Sequence, residues 1–198
     1  MAEDRYPTTD EFWTRLDERE VEPDLRAALR ERTAREEGAV ERVGDARLVE
    51  AVAALILPGA VPARALAVFL DQHFDRQLGR ADERSGLMPR GELIPAGFRV
   101  LDQAARTRHA RPFVDLSTEM QQALLHQAEE GALDGPDRFD SAQWFKRVAQ
   151  LLMLGFGSDP RGMVEMGFPG PSYKPGHIWL DRFEVEARAE RRRGYRTL

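Results

Sequence analysis

The chain has 198 residues, of which 42% are apolar and 32% charged, enough for one sizeable hydrophobic core and too apolar for wholesale disorder. A formal charge of −5 gives no net attraction to nucleic acid or an anionic membrane surface. The absence of cysteine excludes disulfides, thiolate metal sites and cysteine nucleophiles.

Residues 1–44 are polar, with two short helix signals. One runs from Asp10 through Leu16, and the other begins at Pro23 and ends before Gly38. They read as a helical arm whose Trp13, Leu16, Leu25 and Leu29 seek a surface on the main body or on a partner. From Asp45, a capping residue, Leu48, Val52, Leu55 and Ile56 recur at helical spacing up to Pro58 and Gly59. A second helix starts near Pro62, carries Leu66, Phe69, Leu70, Phe74 and Leu78, and stops at Gly79.

Residues 80–94 read as a polar connection. Pro95 then opens a helix whose Phe98, Leu101 and Ala105 mark the buried face. Ser117 caps the next helix, with Met120, Leu124 and Ala128 continuing it to Gly131. A further helix starts at Ser141 with Trp144, Phe145, Val148, Leu151 and Leu152. No alternating run of β-branched residues appears, so the fold class is all-α.

Residues 155–176 hold six of the 16 glycines and four of the 12 prolines. They are expected to form a long ordered loop, stiffened by proline and turned by glycine. Its glycines do not match the spacing of a dinucleotide fingerprint and follow a helix rather than a strand, so no phosphate cradle is expected. The charged segment 181–198 reads as a terminal helix or tail. Three parts result: an arm over 1–44, a helical body over 45–180 and the tail.

The chemistry offered is sparse. His73, His109, His126 and His177 are too scattered to place two metal ligands on one helical face. His73 and His109 are expected at the core boundary and His126 in solvent. Asp71 and Asp75, one turn apart, are expected to be hydrated. His177 is the one catalytic candidate, because it follows a loop of backbone donors, and Ser158 and Ser172 lack the strand–turn–helix elbow of an activated serine. The arginines of 191–196 are neighboured by Glu184, Glu186 and Glu190, against a nucleic-acid role. No stretch approaches the roughly 18 apolar residues of a membrane span, and the N-terminal residues show no export signal, so the expected location is cytoplasmic, or periplasmic only by co-export with a partner.

Two blocks resemble the gluconate 2-dehydrogenase subunit 3 family, the small subunits of glucose–methanol–choline type flavoprotein dehydrogenases. The first is Leu55 to Ala60 followed by the Pro62 helix with Phe69, Leu70 and Asp71. The second runs from Trp144 and Phe145 through Asp159 and Pro160 to Met166, Gly167, Phe168, Pro169, Gly170 and Pro171. Arg161, Gly162 and Met163 depart from the Gly-Gly-Asn step found in many members.

The resemblance implies a non-catalytic accessory subunit that stabilises a flavin-dependent sugar or polyol dehydrogenase. It implies FAD held by the large subunit, an electron acceptor such as a haem protein or quinone held by the partners, and no cofactor or metal on this chain. The expected partner-binding residues are Phe156, Asp159, Met163, Met166, Phe168, Pro169, Tyr173, His177 and Trp179. The rival expectation is a stand-alone helical enzyme acting on a sugar through His177 and loop backbone donors. A third, nucleic-acid binding through the arginine tail, predicts steeply salt-dependent association.

Overall fold

A computed structural model describes residues 9–17, 23–75 and 88–167. The helices are α1 (Thr9–Asp17), α2 (Pro23–Thr33), α3 (Ala46–Ile56), α4 (Ala63–His73) and α5 (Arg90–His109), followed by α6 (Thr118–Glu129), α7 (Ser141–Ser158) and α8 (Pro160–Glu165). Short 3₁₀ turns cover Ala34–Glu37 and Phe113–Asp115. No strand occurs among the described residues, and the protein is all-α.

α4 lies at the centre, between α3 and α7. Its residues Ala65 to Asp71 are all buried, so it is enclosed on every side rather than amphipathic. Asp71, in this apolar run, is 4% exposed. It is not hydrated as expected: its Oδ1 accepts backbone N–H groups of Arg42 and Val43, both at 2.8 Å, and of Glu41 at 3.3 Å. A buried carboxylate needs such donors to replace its lost hydration. The loop before α3 is thereby tied to α4. Arg42 reinforces the tie by pairing with Asp75 and lying over the Phe74 ring.

α7 crosses α5 through Trp144. The indole is fully buried, meets Phe98 edge-on at 5.3 Å and donates from Nε1 to the Ile94 carbonyl at 3.1 Å. Gly97 makes this possible, since a Cβ there would sit 2.1 Å from Trp144 Cδ1. Pro95 does not open α5 but lies inside it, one turn after the start at Arg90. The helix tolerates it near its N-terminus, where only the Gly91 carbonyl forgoes its usual donor.

The caps expected at Asp45 and Ser117 form, accepting from Arg47 N at 2.8 Å and Met120 N at 3.4 Å. On α6, however, Met120 is exposed, and Gln121 takes the inner position, its amide donating to the Phe113 carbonyl at 2.9 Å. His109 is likewise exposed. Eight residues beyond Leu101 the helix has turned about 80° from that buried line, so its last turn leaves the core. His73 is at the boundary as expected, stacked on Phe69 at 4.2 Å with Nδ1 2.9 Å from the Phe69 carbonyl. His126 is exposed beside Glu129 and Glu130. Leu78 and Gly79 lie outside the described residues.

Gly97→Ala is expected to drive Cβ into the indole and cost about 2 kcal/mol or more of stability, as overpacked core substitutions do. Chemical denaturation of wild type and variant checks this; an unchanged midpoint would contradict the packing described.

Candidate functional site

The glycine-rich stretch is not a loop from its start. α7 continues through Gly155 and Gly157 to Ser158, and after Asp159 the chain turns at once into α8. The glycines serve close packing. A Cβ on Gly155 would lie 2.8 Å from the Phe69 ring, and one on Gly162 would lie 2.1 Å from the Phe156 carbonyl oxygen. Pro160 occupies the first helical position of α8, where its missing N–H costs nothing.

Asp159 organises the turn. Its carboxylate is fully buried, accepts from the Arg161 backbone N at 2.9 Å as the α8 cap, and receives Arg161 Nε and Nη2, both at 3.0 Å. Hydrogen bonding to Asp159 raises the Arg161 pKa, outweighing the opposing effect of burial. The same guanidinium donates to the Thr33 carbonyl at 3.2 Å and to Glu36 at 3.3 Å. Arg32 answers by donating to the Ser158 carbonyl at 3.3 Å. The arm is thus clasped to the α7–α8 turn of its own chain. Phe12 and Leu29 bury against Val164, with Trp13 and Met163 at the edge of this second, small cluster.

Opposite its buried face, α7 turns Met153 and Leu154 outward, 52% and 48% exposed. Met166, 54% exposed, extends the strip, its methyl 3.4 Å from where a Cβ of Gly157 would be. Gly157 follows Met153 and Leu154 by one helical turn, so the three apolar side chains share one side of the turn. Single exposed apolar residues are ordinary; three together at the end of one helix pair form a patch that water covers poorly.

The residues expected to bind a partner therefore divide. Met166 is exposed. Met163 is partly buried under the arm, and Phe156 belongs to the core at 6% exposure. Asp159 is entirely occupied within the chain, because a buried turn needs its charge for the cap and for Arg161. Phe168, Pro169, Tyr173, His177 and Trp179 lie outside the described residues, as does the arginine tail. Met153 and Leu154 were missed by sequence reasoning. Their adjacency to Leu151 and Leu152 hides them in one apolar run, although the α7 period set by Trp144, Val148 and Leu152 puts them outside.

The two motif blocks meet in space. The Ala60 N–H donates to Glu165 Oε2 at 2.6 Å, and a Cβ on Gly59 would lie 3.0 Å from the Phe156 ring. The turn after α3 and the α8 segment, about a hundred residues apart in sequence, are thus one structural unit. The profile of the gluconate 2-dehydrogenase subunit 3 family matches residues 44–174. The chain belongs to that family. Searches of curated proteins and of solved structures gave no match.

As a subunit 3 family member, the protein is placed among accessory subunits that associate with a dehydrogenase large subunit. Among the described residues no cluster of His, Asp or Glu could hold a metal ion, and no helix is long and apolar enough to cross a membrane.

Asp159→Asn keeps a cap acceptor but removes the charge opposite Arg161. It is expected to cost about 3 kcal/mol, the scale for breaking a buried pair, and to loosen the arm. Limited proteolysis should then cut within residues 18–38 faster than in wild type; an unaltered cleavage rate would show that the clasp does not hold the arm.

Proposed function

We propose that this chain is a non-catalytic accessory subunit that binds and stabilises the large subunit of a flavin-dependent sugar or polyol dehydrogenase of the glucose–methanol–choline type. The observation that carries the reading is the apolar patch of Met153, Leu154 and Met166. It stands immediately before the Phe168, Pro169, Gly170 and Pro171 block that most marks the family resemblance.

Physically, the patch is held on a firm base. Met153 and Leu154 ride on a helix anchored through Trp144, and Met166 closes α8, fixed by the Asp159 cap and the Glu165 bond to Ala60. Such a surface loses little conformational freedom on docking, which lowers the cost of association. Covering each large apolar side chain contributes up to about 2 kcal/mol. In this reading the residues from Phe168 to Trp179, His177 included, extend the docking surface. The partner holds FAD and performs the hydride chemistry, and an acceptor such as a haem protein or quinone takes the electrons. This chain contributes by keeping the flavoprotein folded and loaded.

The test is co-expression with a glucose–methanol–choline type flavoprotein of the same genome. The wild-type pair should co-elute, and the double substitution Met153→Ser with Leu154→Ser should weaken the complex by at least about tenfold, or roughly 1.4 kcal/mol. The isolated chain should keep its melting temperature within a few degrees, because exposed side chains contribute little to the fold. Separate elution of the wild-type proteins, with flavin loading and activity unchanged by this chain, would refute the proposal.

A further inference from the structure

Between the arm and the end of α4 lies a cleft of about 480 Å³, walled by Glu31, Arg32 and Arg35 on one side and Gln72 and His73 on the other. That volume is in the range of metabolite sites. Behind Arg35 and His73 stands the Phe69 ring, which is not itself part of the lining. The Arg35 guanidinium lies over the Phe69 ring, 4.8 Å from its centroid, and the same ring stacks on His73 at an interplanar angle of 8°. The His73 contact to the Phe69 carbonyl fixes the tautomer, since a carbonyl only accepts and Nδ1 must therefore carry the proton.

Arg35 sits partly buried and, among the described residues, without a polar partner: its guanidinium has no hydrogen-bond acceptor and no ion pair. The nearby carboxylates Asp159 and Glu36 are both engaged by Arg161. Arg32 gives one N–H to the Ser158 carbonyl and keeps further donors. Glu31 is the one carboxylate among the residues lining the cleft, facing two guanidiniums, in a protein whose overall charge is −5. Burial lowers the Arg35 pKa, with Arg32 and Arg161 adding to the effect and Asp159 and Glu31 opposing it. The cation sits where it has lost hydration and gained little in return.

We propose that this cleft binds a small carboxylate, held by the planar forks of Arg35 and Arg32. A carboxylate offers two acceptor oxygens at the spacing of a guanidinium fork, and the Phe69 ring stiffens the Arg35 plane that receives it. The site is separate from the patch on α7 and stands whether or not that patch binds a flavoprotein.

Isothermal titration calorimetry of the full chain, with glucuronate and succinate as probes and glucose as the neutral counterpart of glucuronate, tests it. At least one of the two carboxylates is expected to bind saturably at one site, and glucose is not. Arg35→Gln should weaken that binding by about tenfold or more, and Arg35→Lys, which keeps the charge but loses the fork, by less. Circular dichroism verifies that each variant is folded, and Arg32→Gln serves in place of Arg35→Gln should the latter unfold. The proposal is overturned if neither carboxylate binds, if glucose binds as well as glucuronate, or if binding is unchanged in the folded arginine variants.

Discussion

The buried carboxylate of Asp159 is the constraint on which the α7–α8 end of the molecule depends. A fully buried charge is costly unless surrounded by donors, and Asp159 finds them in the α8 N-terminus and the Arg161 guanidinium. Satisfying that one group forces α7 to stop, α8 to begin at Pro160, and Arg161 to point back at the arm, where Thr33 and Glu36 complete its shell. The position of Met166 beside Gly157 and the burial of Phe12 and Leu29 against Val164 both follow from this turn.

A second buried carboxylate does equivalent work near the C-terminal end of α4. Asp71 gathers three consecutive backbone N–H groups and so determines how the chain enters α3. Elsewhere the body is conventional helix packing, with glycine admitting an aromatic ring at two close contacts: Gly97 under Trp144 and Gly155 against Phe69. Polar anchors specify the ends, and close apolar packing specifies the middle.

Much of this was legible in the sequence. The periodicity of Leu48, Val52 and Leu55, and of Trp144, Val148 and Leu152, marks helices directly, and Asp45 and Ser117 announce their starts because capping is local chemistry. What escaped depends on partners far along the chain. Asp71 looks hydrated until residues 41–43 are brought over it, and Asp159 looks available to a partner until Arg161 and the arm enclose it. Gly155 and Gly157 suggest a loop by composition, but propensity yields at Gly155, where a close contact with Phe69 needs a residue without a side chain. Pro95 likewise reads as a helix start, although one missing N–H near an N-terminus does not prevent the helix from beginning a turn earlier. The outward Met153 and Leu154 were obscured because they adjoin two buried leucines.

The picture that results is of a scaffold whose described internal polar groups are largely committed to its own architecture, with two places proposed for another molecule. One is the apolar end of α7 and α8; the other is the arginine-walled cleft beneath the arm. For a member of an accessory-subunit family, the former bears most directly on its role. Hydrogen–deuterium exchange of the chain alone and in complex with the proposed flavoprotein partner tests that claim most directly. The account predicts that new protection concentrates in residues 150–167, at the Met153, Leu154 and Met166 face. A stable complex that leaves this segment unprotected, with protection on the α5–α6 side instead, would contradict it.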